Sequence, residues 1–197
     1  KSMTKTFKSN KYIKETLNNT LDVFLKIQNS DEFQSNLSKV GNVIAEALKN
    51  NKKIYIAGNG GSAADAQHFS AELISKFMKD RNPLPAIALT TDSSAMTAIG
   101  NDYGFEELFS RQILGLGQKG DIFMGITTSG KSKNIINAFK KCKEREIISL
   151  ALCGERGIES FSPDYVISIP SNSTPIIQEM HLISYHILCG IIEEVIF

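Results

Sequence analysis

The chain has 197 residues, of which 42% are hydrophobic, and its 22 basic and 21 acidic side chains leave a formal net charge of +1. This length suits one domain with a substantial core, and the balanced charge gives no electrostatic basis for binding nucleic acid or an anionic membrane. No apolar run approaches the roughly 18 residues of a membrane-spanning helix, and we expect no signal peptide. Three cysteines without metal-ligand spacing indicate reduced thiols. We therefore expect a soluble cytoplasmic protein whose natural start is Met3.

Two helices are predicted before the first strand, because apolar residues recur there at helical spacing. The first set is Ile13, Leu17, Leu21 and Phe24, and the second is Phe33, Leu37, Val40, Ile44 and Leu48. Each apolar face needs a surface to cover, so these helices are expected to pack on the domain behind them or on another copy of the chain. We assign 7–50 to this helical pair and 53–197 to the core of one single domain.

Short apolar strands then alternate with helices. Strands are predicted at 53–58, 86–90, 121–126, 147–153 and 165–170, and helices at 62–79, 93–100, 105–115, 132–145 and 175–196. Strands that are apolar almost throughout are typical of parallel sheets covered on both faces. The alternation predicts a three-layer α/β/α sandwich with a five-stranded parallel sheet, in which ligands bind beyond the carboxyl ends of the strands.

The loop after the first strand reads "GNGGS" over 58–62. Its glycines let the backbone approach a ligand, and Ser62 is expected to cap a helix whose free N–H groups suit a phosphate or a sugar hydroxyl. A purely structural tight turn explains the same residues. His68 and Glu72 follow on one face of that helix, where they form a metal-ligand pair, an acid–base pair or a solvated surface pair.

The last helix contains "QEMHLISYH", with two of the three histidines of the chain. Histidines flanked by apolar residues, such as His186, are also common in protein cores. Gln178 and His186 are eight residues apart, which is about 12 Å along a helix. If both act in one site, we expect different copies of the chain to supply them. Asn101 and Asp102, after the second strand, are candidates to hydrogen-bond a polyol or to form a turn.

The stretch "GITTSGKS" (125–132) matches G-x-x-x-x-G-K-S, the phosphate-binding loop of nucleotide triphosphatases, and lies between a strand and a helix. Those enzymes also need an acidic residue on another strand to hold Mg²⁺, and their loop normally follows the first strand of the sheet. Here the loop follows the third strand, and neither the fourth nor the fifth strand ends in Asp. We expect its hydroxyls to bind a phosphate monoester instead of a nucleotide.

Four motifs occur in order along nearly the whole chain: "GNGGSAADAQHFSAEL", "GNDYGF", "TTSGKS" and "IQEMH". Together they resemble the sugar isomerase (SIS) family, most closely its members that isomerise a seven-carbon sugar phosphate. The resemblance implies a flavodoxin-like SIS fold and a homotetramer with active sites at subunit interfaces. It also implies conversion of sedoheptulose 7-phosphate to D-glycero-D-manno-heptose 7-phosphate through an enediol, the first step of nucleotide-activated heptose biosynthesis for lipopolysaccharide or capsule.

The resemblance further implies residue roles. Glu72 would be the general base and His186 its acid–base partner. One zinc ion per subunit, and no organic cofactor, would be bound by His68, Glu72, Gln178 and His186. Substrate contacts would come from Asn59, Gly60, Gly61, Ser62, Glu72, Asn101, Asp102, Thr127, Thr128, Ser129, Ser132 and Gln178. The family loop commonly reads S-T-S-G-N-S; Thr127 keeps the first hydroxyl, and Lys131 alone creates the likeness to a nucleotide loop.

Two alternatives to this function stay open. Some SIS relatives are non-catalytic binding proteins, including one that engages the bacterial replication initiator, and these lack the acid and the base. Others act on a different phosphosugar. The presence of both Glu72 and His186 favours an enzyme, and the match along the whole chain favours the heptose substrate.

Overall fold

The computed structural model describes residues 8–197, so Met3 and the first residue of the predicted helical pair lie outside the described part. Five parallel strands form one sheet in the order β2-β1-β3-β4-β5. They are β1 (Ile54–Gly58), β2 (Ala86–Ala88), β3 (Ile122–Thr127), β4 (Ile148–Gly154) and β5 (Tyr165–Ile169). This is the flavodoxin-like order, which confirms the predicted fold class. From β1 the chain adds β2 on one side of the sheet and then β3 on the other side. The loops after β1 and β3 therefore flank the switch point in strand order, where α/β folds bind ligands.

Helices cover both faces of the sheet. Within residues 8–197 they are α1 (Ser9–Gln28), α2 (Asp31–Lys49), α3 (Gly61–Ile74), α4 (Ser93–Asp102), α5 (Ser110–Leu116), α6 (Lys133–Glu144) and α7 (Thr174–Ile196). Side chains alternate along the strands: Ile56 and Met124 pack in the core under α2, α3 and α7, whereas Tyr55 and Phe123 pack in the core under α5 and α6. None of the helices in this part of the chain has the length and apolar character needed to cross a membrane.

The two N-terminal helices differ in how they are covered. Helix α2 buries its apolar face, including Val40 and Ile44, against α7 and β5. The apolar stripe of α1 stays largely uncovered within the chain, since Ile13 is 53%, Leu17 64% and Leu21 52% exposed. Helix α2 therefore packs on the domain behind it, which is one of the two options predicted from sequence. Helix α1 instead presents an apolar face to the outside of the chain.

The helix predicted over 62–79 ends at Ile74, five residues early. The reason is tertiary: the amides of 77–79 donate to the carboxylate of Glu193 on α7 instead of to carbonyls one turn back. The guanidinium of Arg81 binds the same carboxylate and also the carbonyl of Leu73 at the end of α3. The buried carboxylate of Glu193 thus accepts hydrogen bonds from amides that would otherwise have extended the helix.

The helix predicted over 105–115 is also interrupted. It is a short 3-10 helix, Phe105–Glu107, followed by α5. The hydroxyl of Ser110 donates to the carbonyl of Glu107 at 3.1 Å. This side-chain bond competes with the backbone bonds of a continuous helix.

Candidate active site

The loop between β3 and α6 gathers hydroxyl groups at a helix start. The Oγ atoms of Thr127 and Ser132 share a hydrogen bond of 2.9 Å, and Ser129 Oγ accepts the Lys131 amide at 3.2 Å. Ser132 is the N-cap residue of α6, and its side chain makes no capping hydrogen bond to the amides of the first turn. Those amides and the positive end of the helix dipole suit an anion.

Gly130 allows this loop to fold. Its φ of +70° lies in the left-handed region, and a Cβ there would lie 1.8 Å from the Gly157 carbonyl oxygen. Glycine is therefore required for both backbone conformation and space. Lys131, which completes the nucleotide-loop pattern, is exposed and forms no ion pair within residues 8–197.

The loop after β1 lies beside the hydroxyl-rich loop. Its Asn59 exchanges two amide hydrogen bonds, 2.9 and 2.8 Å, with the buried Asn134 of α6. The expectation that Ser62 caps α3 is wrong: Gly60, with φ +58°, is the N-cap, and Ser62 is buried inside the helix. The helix therefore begins two residues earlier than a cap at Ser62 would place it. Gln178 lies against Gly61, where a Cβ would be 2.4 Å from its Nε2.

Asn101 and Asp102 occupy the last turn of α4, where both are exposed and the Asn101 amide donates to the Asp102 carboxylate at 2.8 Å. Among the described residues no hydrogen bond joins either side chain to the loop after β1 or to the loop after β3.

Three chemically active side chains converge between α3 and α7. His68 Nε2 is 2.9 Å from Glu72 Oε1 and 3.4 Å from His186 Nε2. One ligand atom from each of the three residues lies within 4.8 Å of the others. Burial, followed by the neighbouring His68, lowers the pKa of His186, although Glu72 opposes this shift. An imidazole at this position can accept a proton at one ring nitrogen and donate it again.

This trio fits a zinc ion. Two imidazoles and one carboxylate are ligands that zinc commonly takes, and catalytic zinc sites combine three such ligands with an open position. The 3.4 Å between the two Nε2 atoms is close to the separation of two nitrogens on a tetrahedral zinc with Zn–N bonds of about 2.0–2.1 Å.

Two residues behind the trio were not predicted from the sequence. Tyr185 Oη lies 2.9 Å from His68 Nδ1 and 3.4 Å from Asp65 Oδ1. Burial raises the pKa of Asp65, with opposing effects of Tyr185 and His68. Its other oxygen is buried and has no hydrogen-bond partner within 8–197. The spacing of Asp65, His68 and Glu72 on one helix face was a usable signal, but no periodicity connects Tyr185 to α3.

His186 also contacts a residue that is far from it in the sequence. The Phe77 ring lies 5.6 Å from the His186 ring, on the segment that Glu193 and Arg81 hold against α7. His181, by contrast, belongs to the core: it is buried, lies 3.2 Å from the Cys153 carbonyl, and burial lowers its pKa to about 4. The structure gives it no position in the trio.

Within one chain, the trio lies farther along α3 than the loop that follows β1. Helices α3 and α7 run parallel, with Gln178 beside Gly61 and Tyr185 beside His68. Glu72 is eleven residues beyond Gly61, which is about 16 Å along the helix and away from the carboxyl edge of the sheet. Gln178 lies near the start of α7, beside this loop, and His186 lies in the middle of α7.

The sequence matches the family model of the SIS domain over residues 17–154. The phosphoheptose isomerase of Sulfurimonas denitrificans is 48% identical over 188 residues, which are 95% of this chain and 96% of the relative. Phosphoheptose isomerase 2 of Campylobacter jejuni is 47% identical over 189 residues, covering 95% and 94% of the two chains.

The chain is also similar to solved structures of phosphoheptose isomerases. A phosphoheptose isomerase from Francisella tularensis superposes with a TM-score of 0.91 at 34% identity. Another from Neisseria gonorrhoeae superposes with a TM-score of 0.88 at 37% identity. In both cases the alignment covers 95% of this chain and all of the solved chain.

Proposed function

This chain belongs to the SIS domain family, among its phosphoheptose isomerases, and from that premise we propose that it converts sedoheptulose 7-phosphate to D-glycero-D-manno-heptose 7-phosphate. The observation that carries the proposal is the convergence of a carboxylate, Glu72, and an imidazole, His186, beside His68. A non-catalytic binding protein would not need this pair. We propose that the reaction takes place in the cytoplasm, where its product supplies heptose for lipopolysaccharide or capsule.

The isomerisation moves one proton between C1 and C2 of the sugar through an enediol. The Glu72 carboxylate takes the proton from one carbon and returns it to the other, as a general base and then a general acid. Its Oε1 accepts a hydrogen bond from His68. His186 moves protons between the two sugar oxygens, because an imidazole accepts a proton at a ring nitrogen and donates it back.

We propose that one zinc ion per subunit is bound by His68, Glu72 and His186, with Gln178 of a second copy as the fourth ligand. Bound zinc would act as a Lewis acid that polarises the sugar carbonyl. The close spacing and chemistry of the trio support this assignment.

The phosphate of the substrate supplies binding energy and orientation and takes no part in the proton transfers. We assign it to the amides at the start of α6 and to the hydroxyls of Thr127, Thr128, Ser129 and Ser132. Asn59, Gly60, Gly61, Ser62, Asn101 and Asp102 remain the proposed sugar contacts. Because Asn59 is already hydrogen-bonded to Asn134, it also holds the two loops together.

We further propose that each active site is shared between two subunits of a homotetramer. One copy supplies the phosphate loop and Gln178, and the other supplies His68, Glu72 and His186. The separation of about 16 Å along α3 supports this division, because one sugar phosphate cannot reach both places in a single chain. The exposed apolar stripe of α1 supports association, since a helix face of this kind is usually covered by a partner.

A mixture of two inactive variants tests the division. In Ser129→Asp a carboxylate repels the substrate phosphate, and in Glu72→Gln the base is lost. Co-expressed together, these chains are expected to regain about a quarter of wild-type activity, because half of random pairs are hybrids and one of two sites in each is intact. Glu72→Gln mixed with His186→Ala should regain none, because both residues belong to the same half-site. Recovery in the second mixture would contradict the division.

The activity itself is tested by incubating the protein with sedoheptulose 7-phosphate, with and without added Zn²⁺, and recording the proton NMR spectrum. We expect the anomeric proton signal of the aldose to appear. Fructose 6-phosphate under the same conditions tests for a different phosphosugar and should be converted much more slowly. The proposal fails if sedoheptulose 7-phosphate gives no product under either condition.

A further inference from the structure

We propose that Tyr185 is a positioning residue that sets which ring nitrogen of His68 faces Glu72 and His186. The inference rests on the proposed zinc site and concerns how this chain prepares one of its ligands. Histidine ligands usually donate their second ring N–H to a carboxylate or carbonyl, which fixes the tautomer and the orientation of the ring. Here a tyrosine hydroxyl occupies that place, at 2.9 Å from His68 Nδ1.

The geometry assigns separate roles to the two nitrogens of His68. Its Nε2 points to Glu72 Oε1 and His186 Nε2, so this is the nitrogen available to a metal. A neutral imidazole that binds through Nε2 carries its proton on Nδ1. That N–H then needs an acceptor, and the Tyr185 oxygen is in place to accept it.

The Tyr185 hydroxyl in turn can donate a hydrogen bond to Asp65. Asp65 Oδ1 lies 3.4 Å from Tyr185 Oη, and the second oxygen of Asp65 is buried without a partner among residues 8–197. The resulting series runs from His68 Nδ1–H to Tyr185, and from Tyr185 O–H to Asp65. It is a carboxylate–histidine–metal arrangement lengthened by one hydroxyl.

The same hydroxyl suits either tautomer of His68. When His68 donates its Nε2–H to Glu72, the Tyr185 hydroxyl donates a hydrogen bond to Nδ1. With a metal on Nε2, His68 would be the neutral Nδ1–H tautomer, one proton having left Nε2 for solvent and one having come from solvent to Nδ1. The Tyr185 hydroxyl would then donate to Asp65 instead. Only a group that both donates and accepts can satisfy both arrangements.

The tyrosine ring is held rigidly enough to direct this bond. Tyr185 is fully buried, its ring stacks on Phe69 with centroids 5.5 Å apart, and it meets the edge of His68 at 5.4 Å.

The test compares Tyr185→Phe with Tyr55→Phe. Both remove one hydroxyl from a fully buried ring, but the Tyr55 hydroxyl donates to the Leu116 carbonyl, away from α3. Competition with a chromophoric chelator measures the zinc affinity of each folded variant. We expect Tyr185→Phe to weaken zinc binding by about 10- to 100-fold and Tyr55→Phe to leave it unchanged. Asp65→Asn should give a smaller loss, because an amide oxygen still accepts the tyrosine proton.

A second readout follows the tautomer directly. In ¹⁵N-histidine-labelled zinc protein, we expect a slowly exchanging Nδ1–H signal from His68 that Tyr185→Phe loses to rapid exchange with water. A merely structural role would lower thermal stability in both variants and leave this signal in place. Equal zinc affinity in wild type and Tyr185→Phe, or an unchanged Nδ1–H signal, overturns the inference. Because affinity and tautomer are measured without substrate, they decide the inference even if the wild type fails to isomerise sedoheptulose 7-phosphate.

Discussion

Replacement of Glu72 by glutamine is expected to lower kcat by about 10³-fold, within the range of roughly 10²–10⁴ that a positioned acid–base group contributes. Glutamine has nearly the shape of glutamate but cannot take a proton from carbon. The Kd for sedoheptulose 7-phosphate should change little, because the phosphate is held by a distant loop. Single-turnover kinetics with the aldose signal as readout, together with calorimetric titration of substrate, measure both quantities.

Two controls distinguish loss of the general base from loss of a carboxylate in general and from weaker zinc binding. Glu46→Gln removes an exposed carboxylate that pairs with Lys49 at the surface and should leave kcat unchanged. Saturating Zn²⁺ tests whether Glu72→Gln is inactive only through weaker metal binding, since activity would then return. Recovery of most activity, with or without zinc, would remove Glu72 from the role of base.

Replacement of Glu193 by glutamine is expected to lower the free energy of unfolding by about 3–5 kcal/mol, as for other buried ion pairs that lose one partner. Glu193 and Arg81 are each only 2% exposed and form an ion pair at 3.0 Å. Burial would raise the pKa of Glu193, but hydrogen bonds from the amides of 77–79 and from Arg81 outweigh it and lower the pKa. Without the carboxylate charge, the guanidinium stays buried and uncompensated.

The neighbouring acid provides a matched control. Glu194 pairs with Lys79 at the surface, where its side chain is 74% exposed, so Glu194→Gln should cost at most about 1 kcal/mol. Chemical denaturation of both variants gives the comparison. In Glu193→Gln we also expect lower activity, because the freed segment includes Phe77, which packs on His186. Equal stability of the two variants would show that the buried pair does not hold this segment.

The sequence was sufficient where the determinants are local. Apolar strands alternating with amphipathic helices specify a covered parallel sheet, and the structure has its five strands where they were predicted, within two residues. The sequence also placed the glycine- and hydroxyl-rich stretch between a strand and a helix, where the structure has it, and its binding of phosphate stays a prediction. The motifs led to the right family for the same reason.

Errors occurred where a distant residue decides a local conformation. Helix α3 stops at Ile74 because Glu193, more than a hundred residues later, captures the following amides. Ser62 is buried inside α3 and does not cap it, because the N-cap of this helix is Gly60, which has a positive φ. Neither the ion pair nor the cap leaves a periodic signal that a single sequence could reveal.

The sequence by itself determined the fold class and the family, because these depend on patterns along the chain. Only the tertiary structure decided which of the predicted site residues meet. It brings Glu72 and His186 together and places Gln178 near the start of α7, beside Gly61. It also reveals Tyr185 behind His68. Such contacts depend on the relative rotation and offset of two packed helices, which neither helix specifies alone.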